Sequence, residues 1–262
     1  MGARPLHYSI MVLDLERFGS RTNPEQERAR GALYSVVEEA LKDADVMPQD
    51  VAGVGDRGDG GFWLFSSNVS KVDLTGDVVD RLQARLRAHA AGPGAPPLRL
   101  RLALHAGEVA RDEHGWVGAD LNTACRLVDL DDLRRALAAA DRSALAVAVS
   151  GAWHDAVVRH GYPGLESSAF RPVPFREKEV DSTAWIRVPG YDAPPGLDAV
   201  RVPAPEAEAD GAAEAQADEP ASASSDGQAS RFANAVFHHV GRLYGGDHHE
   251  VVRGDGTGRA DR

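Results

Sequence analysis

Cysteine is almost missing from this sequence: Cys125 is the only one. No internal disulfide can form, and a reducing compartment is the natural setting, so a cytoplasmic location is expected. Long apolar runs are missing too. The first, Tyr8–Leu13, is too short for the hydrophobic region of a signal peptide. No stretch approaches the roughly 18 apolar residues that a membrane span needs. Positive charge is scarce: 29 Lys and Arg stand against 40 Asp and Glu, a formal net charge of −11. That excludes broad binding to nucleic acid or to an anionic membrane, and neither is expected as a partner. Nucleotides stay open as ligands, because a metal ion can bridge acidic side chains to phosphates.

Two further gaps divide the chain. Lys and Arg do not occur between Val202 and Ser230, and aromatic residues do not occur between Tyr191 and Phe232. A Pro-, Ala-, Glu- and Ser-rich stretch of this kind cannot bury enough apolar surface to offset its ordering entropy, so residues 190–230 are expected to be a disordered linker. Residues 1–189 form the domain before it. Residues 231–252 turn aromatic and apolar again, rich in Gly and His, and 253–262 read as frayed. The 231–252 segment is β-prone and weakly charged on a flexible tether, which suits strand addition to a protein partner. It resembles short C-terminal motifs that mediate amyloid-like or adaptor signalling in filamentous bacteria. A small amphipathic element docked on the core is the other reading.

Within residues 1–189 strand-like and helix-like segments alternate. His7–Leu13 reads as a buried strand and Pro24–Asp45 as a helix capped by Asn23. Val51–Val54 and Phe62–Phe65 read as strands around a Gly/Asp turn. Leu74–Ala91 reads as an amphipathic helix, Leu98–Val109 as a long strand and Gly118–Ala140 as mostly helix. Leu145–Val149 is a further strand, Gly151–His160 a helix capped by Ser150, and Pro174–Arg176 and Thr183–Val188 are late strands. The β-α-β-β-α-β order predicts an α+β fold with a ferredoxin-like palm, extended by C-terminal strands and a helix.

Three motifs carry chemistry. In Met11-Val-Leu-Asp14-Leu-Glu-Arg-Phe18, Asp14 ends a buried strand at the open end of the sheet, where ligands usually bind in α/β folds. In Gly55-Asp-Arg-Gly-Asp59-Gly-Gly-Phe62, aspartates and glycines make a tight hairpin tip. Each alone is also an ordinary turn. In a palm-like sheet, however, the first strand lies beside this hairpin, and Asp14 and Asp59 can share a pair of metal ions with substrate phosphates. The third motif is Leu102-Ala-Leu-His105-Ala-Gly107-Glu-Val109 followed by Gly118-Ala-Asp-Leu-Asn122-Thr-Ala-Cys-Arg126. Asn122 and Arg126 lie four apart and share a helix face, suited to a ribose oxygen and a phosphate oxygen.

These motifs, in this order, resemble the class III nucleotidyl (adenylate/guanylate) cyclase homology domain, in a divergent bacterial form. Val147-Ala-Val-Ser150, Pro174–Glu179 and Trp185–Val188 resemble its later strands, so the resemblance runs from Leu6 to Val188. It implies that Asp14, Asp59 and the backbone carbonyl of Leu15 hold two Mg²⁺ or Mn²⁺ ions, and that Phe18, Gly58 and Gly60 lie against the nucleotide. It also implies that Asn122 orients the ribose and that Arg126 stabilises charge on the α-phosphoryl group. The substrate is then an NTP, and the active form a homodimer with sites across its interface.

Two departures bear on the base. Purine-specific members carry Lys or Glu four residues before the second metal aspartate, where this chain has Gly55. Asp56 and Arg57 are the neighbouring candidates for base reading. The stretch between Gly107 and Gly118 is also shorter than the family's hairpin arm. Related bacterial cyclases with altered base-reading positions make pyrimidine cyclic nucleotides in phage defence, so a non-adenine product in bacterial signalling is one expectation. A catalytically degenerate signalling module acting through its C-terminal tail is the other.

Overall fold

The computed structural model describes residues 4–177 and 180–197. The tail segments 198–230, 231–252 and 253–262, with the interaction element expected there, lie outside the described residues. In chain order the elements are β1 (Leu6–Leu15), α1 (Asn23–Asp43), β2 (Val51–Asp56), β3 (Gly60–Phe65), α2 (Lys71–Thr75), α3 (Asp77–Ala90), β4 (Leu100–Asp112), β5 (Gly115–Val117), α4 (Ala119–Val128), α5 (Asp131–Ala139), β6 (Leu145–Ser150), α6 (Gly151–Ala156), β7 (Arg171–Glu177) and β8 (Val180–Arg187).

The strands join one sheet in the order β2-β3-β1-β4-β6-β8-β7, with β5 forming a hairpin on β4. Only the β4–β6 pair is parallel. The first four strands in that order, with the helices between them, are the expected ferredoxin-like palm, and β6, β8 and β7 extend it. β1 lies between β3 and β4, which is why Tyr8–Leu13 reads as a continuous apolar run: residues facing either way are covered. On one face Met11, Leu13 and Leu15 pack under α1 and α3, against Leu33, Val37, Leu41, Val79 and Leu82. On the other, Ile10, Val12, Phe62 and Ala103 pack under α4 and α5, against Leu121, Ala124, Leu127 and Leu137.

Several boundaries differ from the sequence reading. The cap of α1 is Thr22, not Asn23: the Glu25 carboxylate accepts both the Thr22 backbone N–H and its hydroxyl, each at 2.8 Å, and Asn23 is already helical. The expected helix Leu74–Ala91 is two helices broken at Gly76, whose added Cβ would lie 3.1 Å from a Leu165 methyl. The apolar spacing Leu74, Val78, Val79, Leu82 runs through the break unperturbed, so periodicity hides it. The expected helix Gly118–Ala140 also divides, at Asp129 and Leu130. Ser150 caps α6 as expected, accepting the Trp153 N–H at 3.3 Å.

The domain also reaches past residue 189. Tyr191 and Leu197 pack against the α4/α5 core, and the Tyr191 hydroxyl accepts the Asp141 and Arg142 N–H groups at 2.9 and 3.0 Å. The linker expectation began too early because it rested on composition, and Tyr191 anchors what precedes the composition change. Among the described residues no helix is long and apolar enough to cross a membrane.

Candidate active site

Strand alternation places Asp14 on the α4 side of the sheet, in register with Gly60 of β3 and Arg101 of β4. Next to it the Leu15 N–H donates to the Asp59 carbonyl at 2.9 Å, so the hairpin tip sits directly against the end of β1. This closeness depends on Gly60. A Cβ there would fall 2.0 Å from the Leu13 carbonyl oxygen. Asp14 and Asp59, far apart in sequence, are thereby brought together, with Leu15 between them.

Asp14 is 2% exposed and ion-paired with Arg101. Its pKa is nevertheless pushed up to about 7, first by burial, with Asp59 and Asp129 adding to the rise and Arg101 and Arg57 opposing it. Asp129 is itself engaged, 3.5 Å from Arg57 and 2.9 Å from Arg134. Arg101 is the guanidinium that pairs directly with Asp14. Two carboxylates and a backbone carbonyl are the hard oxygen donors that suit Mg²⁺ or Mn²⁺, so the residues present fit the expected ions. Among the described residues there is no group of three or more His, Cys, Asp or Glu side chains that could hold a metal ion.

Raised burial of an acid has a sign that can be measured. The protonated form of Asp14 is favoured in the fold, so its contribution is present below the ordinary value of 3.8 and is lost as pH rises toward about 7. Without divalent ions, the protein is expected to lose on the order of a few kcal/mol between pH 4 and 7.5 that an Asp14→Asn variant does not lose. Urea denaturation of both at the two pH values checks this; parallel losses would contradict it.

Arg101 was not singled out in the sequence. It lies 87 positions from Asp14 in an ordinary alternating strand, and only the β1–β4 register joins them. A basic cleft of about 530 Å³ was also missed. It opens at Glu16 and Arg17, two and three residues after Asp14, and Arg21, Arg28 and Arg99 line it as well. Arg99 is held 2.9 Å from Glu16, and Arg21 donates to the Pro97 carbonyl at 2.7 Å. Arg17 stands at φ 56°, turning the chain sharply before Phe18.

The remaining candidates are placed unevenly. The Phe18 ring packs on the α1 core, so what it offers a ligand is backbone. Gly58, at φ 88°, donates its N–H to Asp56 at 2.7 Å, and the Gly60 carbonyl accepts the Arg57 N–H at 3.0 Å. Both base-reading candidates are engaged within the chain. Asp56 pairs with Arg30 and accepts the Tyr34 hydroxyl at 2.9 Å, and burial with that bond pushes the Tyr34 phenol up. Arg57 turns to the opposite side, 2% exposed, toward Asp129. The position of Gly55 is filled by a neighbour: its Cβ would lie 2.2 Å from the Phe62 ring, and that of Gly53 would lie 2.2 Å from Trp116. Asn122 is exposed and Arg126 half-buried on α4, and among the described residues neither side chain makes a hydrogen bond or ion pair. No bond joins them to the carboxylate pair.

The architecture is that of the adenylate and guanylate cyclase domains. A bacterial light-regulated adenylyl cyclase superposes with a TM-score of 0.50 at 13% identity, over 76% of this chain and 56% of that one. The guanylyl cyclase Cya2 gives a TM-score of 0.49 at 17% identity, over 72% and 93% of the two chains. An adenylate/guanylate cyclase/hydrolase from Silicibacter pomeroyi gives 0.49 at 16% identity, over 72% and 99%. At such identities the likeness is one of fold. No family profile matches the chain, and no curated protein does.

Proposed function

We propose that the protein is a nucleotidyl cyclase, converting an NTP to a 3′,5′-cyclic nucleotide and pyrophosphate in bacterial signalling, as a cytoplasmic homodimer. The observation that carries this reading is that the hairpin tip bearing Asp59 sits against the end of β1 beside Asp14, which Arg101 pairs with. The two carboxylates and the Leu15 carbonyl are the ligands for Mg²⁺ or Mn²⁺. Bound there, the ions supply activation of the ribose 3′-hydroxyl and neutralisation of the triphosphate. Arg101 keeps Asp14 oriented and opposes the rise in its pKa that burial causes. The basic cleft beginning at Arg17 offers charge to the phosphates that leave.

Asn122 and Arg126 act from the second subunit. Their lack of partners within the described chain supports this, because a guanidinium poised for an α-phosphoryl group has no use for an internal carboxylate. Asn122 holds the ribose, and Arg126 meets the charge that grows as the 3′-oxygen attacks phosphorus and pyrophosphate departs.

Incubating the full chain with each of ATP, GTP, CTP and UTP and Mn²⁺ tests the proposal. A cyclic product with equimolar pyrophosphate from at least one NTP is the expected result. Phe62 and Trp116 occupying the space above Gly55 and Gly53 favour a second reading, a cyclase-like platform without turnover. No product from any NTP would select that reading over the first.

A further inference from the structure

His105, Gly107 and Gly118 belong to the third sequence motif, and their surroundings concern α4. Asp120, in the first turn of α4, accepts the Glu108 backbone N–H through Oδ2 at 2.6 Å. Its Oδ1 lies 3.4 Å from His105 Nε2. The His105 Nδ1 lies 2.9 Å from the Ser150 hydroxyl, and that oxygen also accepts the Trp153 N–H at the start of α6. The Asp120 carboxylate can only accept, so Nε2–H donates to it, and in the neutral ring Nδ1 then accepts the Ser150 hydroxyl proton. His105 and Ser150 are both buried, so this chain of bonds runs through the interior from α6 across β4 to α4.

The glycines make room for it. A Cβ on Gly107 would overlap the Asp120 carboxylate, at 2.1 Å from Cγ and 2.2 Å from Oδ2. A Cβ on Gly118 would lie 2.6 Å from the Glu108 carbonyl oxygen. The helix is thus seated on bare β4 backbone at its N-terminal end. Its other end is held as well, by Asp129 against Arg57. α4 lies along β4 with an acidic residue fastened at each end, Leu121, Ala124, Cys125 and Val128 turned inward, and Asn122 and Arg126 outward.

We infer that Asp120 and His105 are positioning residues that clamp the N-terminal end of α4 and thereby set where Asn122 and Arg126 project. The inference deepens the cyclase reading and, for its kinetic consequence, rests on it. Asn122 is two residues from the clamp and has no bond of its own to hold it. A helix free to rock by an ångström would misplace both side chains while leaving the carboxylate pair untouched.

The test is Asp120→Ala in the full chain, a side chain 35% exposed whose loss the core should tolerate. Amide hydrogen exchange is expected to speed at least about tenfold across α4. With the NTP that the wild type turns over, kcat is expected to fall at least about thirtyfold while KM stays within about threefold. Asp120→Asn, which keeps an oxygen for the Glu108 N–H, is expected to fall between, and carries the same readouts if the alanine variant does not fold. Unchanged exchange in α4, or a kcat within twofold of wild type, would overturn the clamp. If the wild type turns over no NTP, the cyclase reading fails by itself, and exchange in α4 still decides the clamp.

Discussion

Asp59→Ala and Arg126→Ala are each expected to lower turnover by about 10²- to 10³-fold or more, for different reasons. The first removes one of the two proposed carboxylate ligands, so the site is expected to lose its hold on divalent ions. Mn²⁺ affinity should fall with it. The second leaves that affinity unchanged, because Arg126 makes no bond to the carboxylate pair. Its loss should appear in kcat more than in KM, as expected for a group that meets charge developing in the transition state. Both variants should fold, since Asp59 is half-exposed at a hairpin tip and Arg126 is half-exposed on a helix. Isothermal titration with Mn²⁺ beside steady-state kinetics separates the two effects.

Gly60→Ala is expected to be the most damaging single change that removes no functional group. The new methyl would meet the Leu13 carbonyl at 2.0 Å, and that carbonyl belongs to a strand paired on both sides. Neither strand can retreat without losing ladder bonds, so a cost of about 3 kcal/mol is expected. The hairpin tip would move away from β1, taking Asp59 from Asp14. Urea denaturation should show a lowered midpoint, and Mn²⁺ binding should weaken although every ligand is present. A variant with wild-type stability and Mn²⁺ affinity would show that close approach at Gly60 does not build the site.

Much of this was legible in the chain because it rests on short-range signals. A continuous apolar run ending in Asp14 predicts a central strand, and glycines around Asp59 predict a tight hairpin. Together they predict that the two acids meet. What escaped depends on register between distant strands. Arg101 is one of two arginines in β4, and nothing local marks it as the partner of Asp14. Likewise Asp120 reads as an ordinary first-turn acid until the Glu108 amide and His105 ring are found against it. Asp56 and Arg57 looked available for a base because they sit in a turn; α1 and the end of α4 claim them only in three dimensions. The break at Gly76 was hidden by apolar spacing that continues through it.

The central claim is that the carboxylate pair of one subunit works with Asn122 and Arg126 of another. Mixing the Asp59→Ala and Arg126→Ala variants tests it most directly. Each mixed dimer would carry one site with both defects and one with neither. If subunits exchange freely, half of the dimers are mixed, and about a quarter of wild-type turnover should return. Activity no higher than the average of the two inactive variants, in a solution where mixed dimers are detected, would contradict a site shared across the interface.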